Sequence, residues 1–330
     1  MKLKVIIILL VTISTTAYSQ KTEYSWEIDK PILSKGKPGS FDETAVKDPS
    51  VVFYNNRWHI FYTAGGLGEY TTGYVSAKKL EKLNDVRRYE LKQIRGKERY
   101  GCAPQVFYYE PQKLWYLIFQ NRDSNYQPMY SSTKTIDKPE SWSEPKPLLE
   151  KDEKTKWIDF WIIGDEKQMY LFYTRAHKGV MGRTCSFDDF PNNWEKPQKV
   201  FDNVHEAVHI YKDLDTEKYH MIYEINTNNI RSFGLAAAND LLGDWEKITD
   251  LYATPDNIYF PKKVQAWTEM VSHGEIIRNG YNQKMEYNSK NCSWIIQGLL
   301  NKHLHLEYTK LPWSLGVMKC KNIKNKKNRK

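Results

Sequence analysis

The sequence has few cysteines, and they do not form a metal-binding motif. It contains four, Cys102, Cys185, Cys292 and Cys320, and none belongs to a CxxC pair. The spacing therefore gives no indication of a zinc site built from cysteine. In an oxidising compartment the thiols can pair in three ways, but a chain this long does not need disulfides, so unpaired buried thiols are an equal alternative. Cys320 lies in a basic C-terminal segment and is the cysteine least expected to have a fixed partner.

A hydrophobic run long enough to cross a membrane is also missing near the N-terminus. Lys2 and Lys4 lead into a short apolar stretch over residues 5–13, and residues 17–19 fit the small-x-small rule for signal cleavage. The stretch is shorter than the roughly 20 residues of a transmembrane helix. We therefore expect a signal peptide over residues 1–19, no stable membrane insertion, and a secreted or periplasmic protein. An uncleaved N-terminal anchor is the alternative.

The central part of the chain has no net charge of either sign. The formal charge of the whole sequence is +9. All of it comes from Lys2, Lys4 and the basic residues of segment 319–330, because residues 1–20 and 319–330 contain no acid and residues 21–318 are formally neutral. A basic face that would bind nucleic acid is therefore not indicated. We expect segment 319–330 to be a disordered, solvated tail.

No proline- or serine-rich linker and no low-complexity segment divides residues 20–318. These residues are predicted to form one domain. It is longer than the usual domain of about 150 residues, but all-β folds often reach this size. We expect the domain to be a monomer.

The most frequent pattern in the chain is a hairpin of β-branched and aromatic residues. One copy covers residues 157–174, with a polar turn at Glu166-Lys167. Similar copies begin near residues 48, 104, 206 and 273. The interval between copies is close to that of propeller blades. The last copy is expected to return near residues 283–287.

A second pattern recurs between the hairpins, in which a strand of small residues leads to a tryptophan. It ends at Trp142, Trp194 and Trp245. Because it supplies two further strands per unit, five units of four strands predict an all-β fold, a five-bladed β-propeller. In a propeller the innermost strands begin around a central channel. The residues expected to converge on one mouth of that channel are Asp48, Asp159, Glu206 and His273.

Six segments occur in an order that is typical of one enzyme family. They are Val46 to Val52, Ala103 to Tyr108, Trp157 to Trp161, Glu206-Ala207, Arg231-Ser232 and Ser272 to Tyr281. Together they resemble glycoside hydrolase family 62, the α-L-arabinofuranosidases that remove arabinose branches from arabinoxylan. The resemblance implies a five-bladed propeller related to the family 43 glycosidases, an inverting mechanism, and three acidic residues in one pocket.

The resemblance implies a role for each of three acids. Asp48 corresponds to the general base, Glu206 to the general acid, and Asp159 to a third acid that tunes the general acid and holds the sugar. An inverting glycosidase needs such a base and acid on opposite faces of the sugar. Lys47 beside Asp48 would keep that carboxylate ionised. Taken alone, Asp159 has an equally good structural explanation, a carboxylate hydrogen-bonded to backbone amides.

The resemblance also implies contacts with the substrate. The predicted substrate-binding residues are Lys47, Gln105, Trp161, Arg231, His273 and Tyr281. Arg231 and Tyr281 match positions that contact arabinose or the adjoining xylose, and rings such as Trp161, Tyr126 and Tyr281 suit the C–H faces of sugars. Without the resemblance, each would be interpreted as an ordinary surface or packing residue.

His273 resembles a channel histidine of the family, near which a calcium ion is held largely through water. We therefore predict His273 as a metal-associated residue and calcium as a candidate structural ion, with no organic cofactor. An isolated histidine is more often a core residue, and calcium prefers oxygen ligands. Two positions depart from the family pattern, because His205 precedes the acid where an aromatic residue is expected and Phe233-Gly234 replaces a Trp and a Thr.

Two other functions remain open from the sequence. One is a propeller that binds carbohydrate without hydrolysing it, which would not need three carboxylates at separate strand entrances. The other is a related propeller glycosidase, a β-xylosidase or an arabinanase, with the same acids but different pocket walls. The function that the sequence predicts ahead of these two is that of an exported arabinofuranosidase, whose partner is a polysaccharide such as arabinoxylan.

Overall fold

The computed structural model describes residues 24–66, 68–95, 100–122, 127–149 and 156–321. The predicted signal peptide, Tyr126 and residues 322–330 of the predicted tail lie outside these ranges. Regular structure in the described ranges is almost entirely strand, as the runs of β-branched and aromatic residues predict. No helix in this part of the chain has both the length and the apolar character that a membrane crossing requires.

The first strand in the chain is β1 (Trp26–Leu33). The next sixteen are β2 (Ala45–Tyr54), β3 (Arg57–Gly66), β4 (Glu69–Ala77), β5 (Arg88–Glu90), β6 (Cys102–Tyr109), β7 (Leu114–Asn121), β8 (Gln127–Thr133), β9 (Lys146–Pro147), β10 (Trp157–Gly164), β11 (Met169–Arg175), β12 (Gly179–Cys185), β13 (Gln198–Asp202), β14 (Glu206–Asp213), β15 (Tyr219–Thr227), β16 (Ile230–Ala238) and β17 (Glu246–Ala253). The last five are β18 (Ile258–Tyr259), β19 (Val271–Ile276), β20 (Glu286–Tyr287), β21 (Ser293–Gly298) and β22 (Ser314–Cys320). Short 3₁₀ turns cover Leu80–Asp85, Lys92–Arg95, Glu110–Gln112, Pro139–Ser141, Ser289–Asn291, Asn301–His303 and Tyr308–Lys310.

Four blades are built from consecutive antiparallel strands. Blade one contains β2–β5, blade two β6–β9, blade three β10–β13 and blade four β14–β17. Their hairpins follow the predicted pattern; for example, Asn55 and Asn56 between β2 and β3 have φ of 48° and 58°, which a tight type I′ turn requires. With the fifth sheet, described next, the predicted five-bladed β-propeller is confirmed.

The fifth blade is closed by both ends of the described chain. Its strand order is β18-β1-β22-β21-β19, and β1 pairs antiparallel with β22, with Trp26 opposite Cys320. The predicted return strand near residues 283–287 is wrong. The antiparallel partner of β19 is β21, whereas β20 pairs in parallel with β14 of blade four. Tyr287 of β20 is fully buried there, so its apolar pattern comes from packing between blades.

The last strand also corrects the predicted C-terminal boundary. The domain was expected to end at residue 318 with a disordered tail from residue 319, but β22 continues through Cys320. Lys321 still makes contacts, because its N–H donates to the carbonyl of Ser25 at 2.8 Å and its Nζ lies 3.0 Å from Glu27. Lys319 and Cys320 therefore belong to blade five, and Lys321 is held against it.

The innermost strand of every blade contains a break in register near its first residues, typical of a β-bulge. The bulged residues are Asp48, Ala103, Asp159, Ala207 and His273. The first four have φ between 48° and 57°, a left-handed conformation that Asp tolerates better than most residues. A bulge redirects side chains, and here it turns Asp48 and Asp159 into the channel mouth. In blade four the bulged residue is Ala207, so the acid Glu206 lies one position earlier.

Hydrogen bonds between neighbouring blades lie one layer below this mouth. They come from side chains two positions after the bulges. The bonds join Ser50 to Glu275 (2.6 Å), Gln105 to the backbone of Ile162 (2.7 Å), Trp161 to the carbonyl of Ile210 (2.8 Å) and His209 to the carbonyl of Gly274 (2.9 Å). Because these side chains tie the innermost strands together, they fix the relative positions of the residues at the mouth.

Candidate active site

A pocket of ≈ 410 Å³ lies at the mouth of the channel. It is lined by the three predicted acids, Asp48 from blade one, Asp159 from blade three and Glu206 from blade four. Three predicted substrate-binding residues, Lys47, Arg231 and His273, line it as well. The structure therefore brings together all three acids and half of the predicted substrate-binding set.

Asp48 lies in surroundings that favour its ionised form. Its carboxylate oxygens are 3.6 Å from Lys47 Nζ and 3.7 Å from His273 Nδ1, and its backbone N–H donates to Gln297 Oε1 at 2.7 Å. Burial opposes ionisation, but Lys47, His273 and a hydrogen bond from Thr63 outweigh it and lower the pKa of Asp48. A carboxylate that stays ionised is suited to accept a proton from water.

Lys47 is enclosed by two tyrosines. Its Nζ is 4.5 Å from the ring centre of Tyr70 and 4.8 Å from that of Tyr308, and it donates to Tyr308 Oη at 3.2 Å. Burial works to lower the pKa of Lys47, but Asp48 and both tyrosines raise it, so the amine stays charged. Sequence reasoning missed Tyr308, because no periodic pattern marks its 3₁₀ turn. Tyr308 lines the pocket and is 49% exposed, which makes it a candidate contact for a sugar.

Asp159 is buried next to the predicted general acid. Its Oδ2 accepts a hydrogen bond from the N–H of Ala207 at 2.9 Å, one residue after Glu206. Burial, with repulsion from Glu206 and Asp48, raises the pKa of Asp159 to about 7, while His273 and the Ala207 amide oppose this shift. Asp159 therefore binds a backbone amide, as its structural explanation requires, and also lies next to the residue predicted as the general acid.

Glu206 is the first residue of β14 and is held through both carboxylate oxygens. Oε2 lies 3.2 Å from an Arg231 guanidinium nitrogen, and Oε1 lies 3.2 Å from His177 Nδ1 and 3.7 Å from His205 Nε2. His205, which departs from the family pattern, lines the pocket and stacks on His177 with ring centres 4.9 Å apart. Burial, followed by Arg231, lowers the pKa of His205 to about 4. His177 lies in the turn between β11 and β12, which no sequence motif marked.

Arg231 also forms an ion pair that sequence reasoning missed. The same guanidinium nitrogen contacts Glu224 Oε1, and the other Glu224 oxygen accepts from Ser272 Oγ and from the N–H of His273 at 2.9 Å. Glu224 is 1% exposed. Extending the predicted blade-four hairpin by one residue includes Glu224, and the register shift at the bulge of β14 places it opposite Glu206. A buried carboxylate therefore holds Arg231 against Glu206.

Two predicted substrate-binding residues, Gln105 and Trp161, do not reach the pocket. They belong to the inter-blade hydrogen bonds one layer down, where Gln105 bonds the backbone of Ile162 and Trp161 bonds Ile210 and stacks on His209. Both are 1% exposed, so the assignment of Trp161 as a stacking platform is corrected. The physical reason is the β-bulge. In each strand the bulged residue, two positions before Gln105 or Trp161, faces the channel mouth.

Tyr281, the third, packs at the opposite end of the innermost strands. Its ring contacts those of Tyr54, Tyr108 and Trp115 at centroid distances of 5.0–5.9 Å. Tyr54 is the last residue of β2, whereas the acid Asp48 lies near the start of that strand. Tyr281 is therefore a packing residue away from the pocket.

The surroundings of His273 were tested for the predicted calcium ion. His273 Nδ1 faces Asp48, and its ring packs edge-on against that of His209 with centres 4.9 Å apart. Calcium takes six to eight oxygen ligands. These neighbours offer two imidazoles and one carboxylate that is already paired with Lys47, so the side chains do not form a direct calcium cage. An ion at this position would have to be held through water, as the resemblance implies.

Comparison with known proteins decides the family. The family model described as Glycosyl hydrolase family 62 matches residues 32–319. The chain belongs to this family. A curated relative, alpha-L-arabinofuranosidase C of Cellvibrio japonicus, is 28% identical over 313 residues, 91% of this chain and 48% of the relative, so the chain spans about half the length of that relative.

Solved structures of family 62 agree with the match. The catalytic domain of a family 62 α-L-arabinofuranosidase from Coprinopsis cinerea is 28% identical, with a TM-score of 0.84 over 91% of this chain and 98% of that one. A family 62 hydrolase in complex with xylotriose is 25% identical, with a TM-score of 0.83 over 92% and 99% of the two chains. A thermostable family 43 glycoside hydrolase, at 16% identity and a TM-score of 0.56, shares the fold alone.

Proposed function

We propose that this family 62 chain is an inverting α-L-arabinofuranosidase that removes non-reducing-end arabinofuranosyl branches from arabinoxylan or a related hemicellulose. The observation that carries the proposal is that Asp48, Asp159 and Glu206 meet in one pocket from three different blades, with contrasting surroundings. The names of the matched relatives support it, since two are α-L-arabinofuranosidases and a third structure holds xylotriose, a fragment of the xylan backbone.

In the proposed reaction Asp48 is the general base and Glu206 the general acid. A water oxygen bonds to the anomeric carbon from one face while Asp48 takes one of the water protons. On the opposite face the bond to the leaving oxygen breaks, and that oxygen takes the proton of Glu206. Protons exchanged with solvent then restore both groups. Asp48 and Glu206 come from blades one and four, an arrangement that suits attack and departure on opposite faces of the sugar.

The neighbours of Glu206 give Asp159 and Arg231 positioning roles. Asp159 accepts a hydrogen bond from the Ala207 amide at 2.9 Å, which fixes the backbone next to the acid. Arg231, anchored by Glu224, orients the acid through Oε2. We expect the sugar to bind between these groups and Asp48, with Lys47 and His273 on the base side.

Digestion of wheat arabinoxylan followed by NMR tests the proposal. Free arabinose should appear first as the β-anomer, because single displacement inverts the α-linkage. Initial α-arabinose would overturn the inverting mechanism. Release of xylose or of arabino-oligosaccharides would instead favour a β-xylosidase or an arabinanase, and binding without any product would favour a non-catalytic propeller.

Variants of the same protein connect the activity to the pocket. Asp48→Asn and Glu206→Gln should each lower turnover by at least ~10²-fold while the protein stays folded, because each removes a proton-transfer group. Glu166→Gln is the matched control, since Glu166 is exposed on the blade-three hairpin and pairs only with Lys284 at 2.7 Å among the described residues. Near-normal activity of either pocket variant would refute its role.

Export, a monomeric state and a channel calcium ion are further parts of the proposal. Export is supported by the signal-like residues 1–19 and is tested by N-terminal sequencing of the mature protein. Size-exclusion chromatography with light scattering tests the monomer. For calcium, chelation followed by calorimetry should lower the unfolding temperature if a water-held ion stabilises the channel near His273.

A further inference from the structure

Two histidines and Glu206 form a cluster on one wall of the pocket. His177 lies in the β11–β12 turn, His205 directly precedes β14, and Glu206 begins that strand. One nitrogen of each imidazole and one carboxylate oxygen lie within 4.8 Å of one another. Within the described ranges this is the one group of three or more His, Cys, Asp or Glu side chains with such spacing. The cluster is distinct from the channel position of His273.

The distances within the cluster suit a small tetrahedral ion. Zinc bonds to nitrogen and oxygen are about 2.0–2.1 Å long, which places neighbouring ligands of a tetrahedral site about 3.3 Å apart. Glu206 Oε1 is 3.2 Å from His177 Nδ1 and 3.7 Å from His205 Nε2. The three side chains are 30%, 24% and 23% exposed, so an ion can enter from the pocket.

A bound ion would replace existing contacts of both nitrogen ligands. His205 Nε2 lies 3.4 Å from Asn226 Nδ2, and an ion on this nitrogen would displace that contact. Arg231, which also pairs with Glu224, contacts the other carboxylate oxygen, Oε2, whereas Oε1 faces the two imidazoles. An ion on His177 Nδ1 would replace the contacts of that nitrogen with Glu206 and with the carbonyl of His205 at 3.0 Å. Lys156 Nζ lies 3.4 Å from the other nitrogen, His177 Nε2, and adds a positive charge that a bound cation must overcome.

We propose that His177, His205 and Glu206 bind a zinc-class transition-metal ion whose fourth coordination position faces the pocket. Two imidazole nitrogens with one carboxylate oxygen suit zinc, copper, nickel or cobalt, and do not suit calcium or magnesium. The bound ion makes Glu206 a ligand, and a ligating carboxylate cannot carry the proton that the leaving oxygen needs. Zinc would therefore inhibit hydrolysis reversibly; this consequence, unlike the binding itself, rests on the proposed function.

Calorimetric titration with zinc chloride tests the binding. The protein is used without a polyhistidine tag, after treatment with EDTA and desalting. One ion should bind per chain, and His177→Ala and His205→Phe should each weaken binding by at least about tenfold, because each removes one of three ligands. His205→Phe keeps an aromatic ring for stacking on His177. His305→Ala is the control, since His305 is exposed and outside the cluster.

A second readout identifies the ligands without activity. Cobalt(II) bound at the site should give the strong visible absorption of a tetrahedral ion, and His205→Phe should abolish it. Calcium chloride is titrated in parallel, and any calcium binding should be insensitive to the loss of either imidazole. Zinc binding that is absent, or equally tight in the His177→Ala and His205→Phe proteins, would overturn the proposal.

Arabinose release with and without zinc separates this proposal from the proposed function. Zinc should inhibit the wild type, EDTA should restore it, and His205→Phe should resist inhibition relative to its own zinc-free rate. If zinc binding depends on both histidines as expected but leaves hydrolysis unchanged, the metal site is supported and the role of Glu206 as general acid is refuted. If the zinc-free protein hydrolyses arabinoxylan but zinc does not bind, the metal-site proposal is refuted and the proposed function is not.

Discussion

Asp48 and Asp159 are the same side chain at equivalent bulges of two blades, yet their surroundings shift them in opposite directions. Both are buried, and burial alone would raise the pKa of each. Beside Asp48 the cation Lys47 reverses that effect, whereas Asp159 lies close to Glu206, which adds to it. One carboxyl is thereby prepared to accept a proton and the other to retain one, on the same scaffold.

The variant Asp159→Asn tests whether burial and the neighbouring Glu206 raise the pKa of Asp159. The pKa of about 7 for Asp159 in the folded protein lies above its value of about 3.9 in an unfolded chain. Its contribution to stability is therefore complete below about pH 4 and is lost as the pH rises through about 7. An uncharged Asn can still accept the Ala207 hydrogen bond. The variant should gain on the order of a few kcal/mol relative to the wild type between pH 4 and pH 8.

Denaturant unfolding of the wild type and of Asp159→Asn at several pH values measures this difference in the free energy of unfolding. Groups that titrate in the same way in both proteins cancel in the comparison. The pH profile of arabinose release is the companion measurement. This profile should change near pH 7 in Asp159→Asn, because the carboxyl group that titrates there is removed. Parallel stability curves together with an unchanged profile would show that Asp159 is only a packing residue.

The convergence of the three acids on one pocket was readable from the sequence. The depth at which each neighbouring side chain lies along the channel was not. Asp48 and Asp159 stand out because carboxylates at the entrances of apolar strands need a reason to be there. Gln105 and Trp161 occur in the same strand starts and were assigned to the pocket. The bulges set which residues face the mouth and which face the next blade, and a bulge on a non-glycine residue leaves little trace in composition.

Among the elements, the pairing of β21 with β22 brings together two cysteines that the sequence left without fixed partners. Cys292 directly precedes β21, Cys320 ends β22, and the N–H of Cys320 donates to the carbonyl of Cys292 at 3.1 Å. Residues opposite each other on antiparallel strands have Cα atoms about 4.5–5.5 Å apart, within the range for a disulfide. A hydrogen bond from Cys292 lowers the pKa of Cys320 to about 7, which favours the reactive thiolate.

Oxidised glutathione should therefore join Cys292 to Cys320. The two thiols give up two electrons and two protons, and one glutathione disulfide is reduced to two thiols. Closing a loop of roughly 30 residues should add about 3–4 kcal/mol to the free energy of unfolding. Non-reducing peptide mapping identifies the bond, and calorimetry measures the rise in unfolding temperature. Cys292→Ala is the control, and a stable glutathione adduct on Cys320 without the intramolecular bond would contradict the prediction.

For the whole molecule, the number of blades was predictable from the sequence, but the strand pairing of the fifth blade was not. Blades one to four are sequential hairpins, so local alternation and turns such as Asn55-Asn56 reveal them. Blade five combines β1 with β22, which lie at opposite ends of the described chain, and no local pattern reports such a pairing. The same limit explains why the return strand was misplaced and why Tyr308 was missed, since each depends on contacts between segments far apart in sequence.

The closure of blade five by β1 and β22 leads to a last prediction, about the stability of the whole propeller. Trp26 in β1 is fully buried, donates from Nε1 to the carbonyl of Tyr252 at 2.6 Å, and packs edge-on against the rings of Tyr252 and Trp294. Truncation to alanine leaves a large cavity between β1 and the rest of the blade. Trp26→Ala should therefore lower the free energy of unfolding by about 3–5 kcal/mol.

The location of the damage distinguishes loss of closure from a simple cavity effect. Hydrogen exchange should rise first in β1 and β22, because their pairing has no covalent turn to hold it, and only later in blades two and three. Phe53→Ala is the matched control, since Phe53 is 44% exposed on blade one and its truncation should cost no more than about 0.5 kcal/mol. If Trp26→Ala were no more destabilising than this control, or if exchange rose first in another blade, pairing of the chain ends would not be what holds the propeller closed.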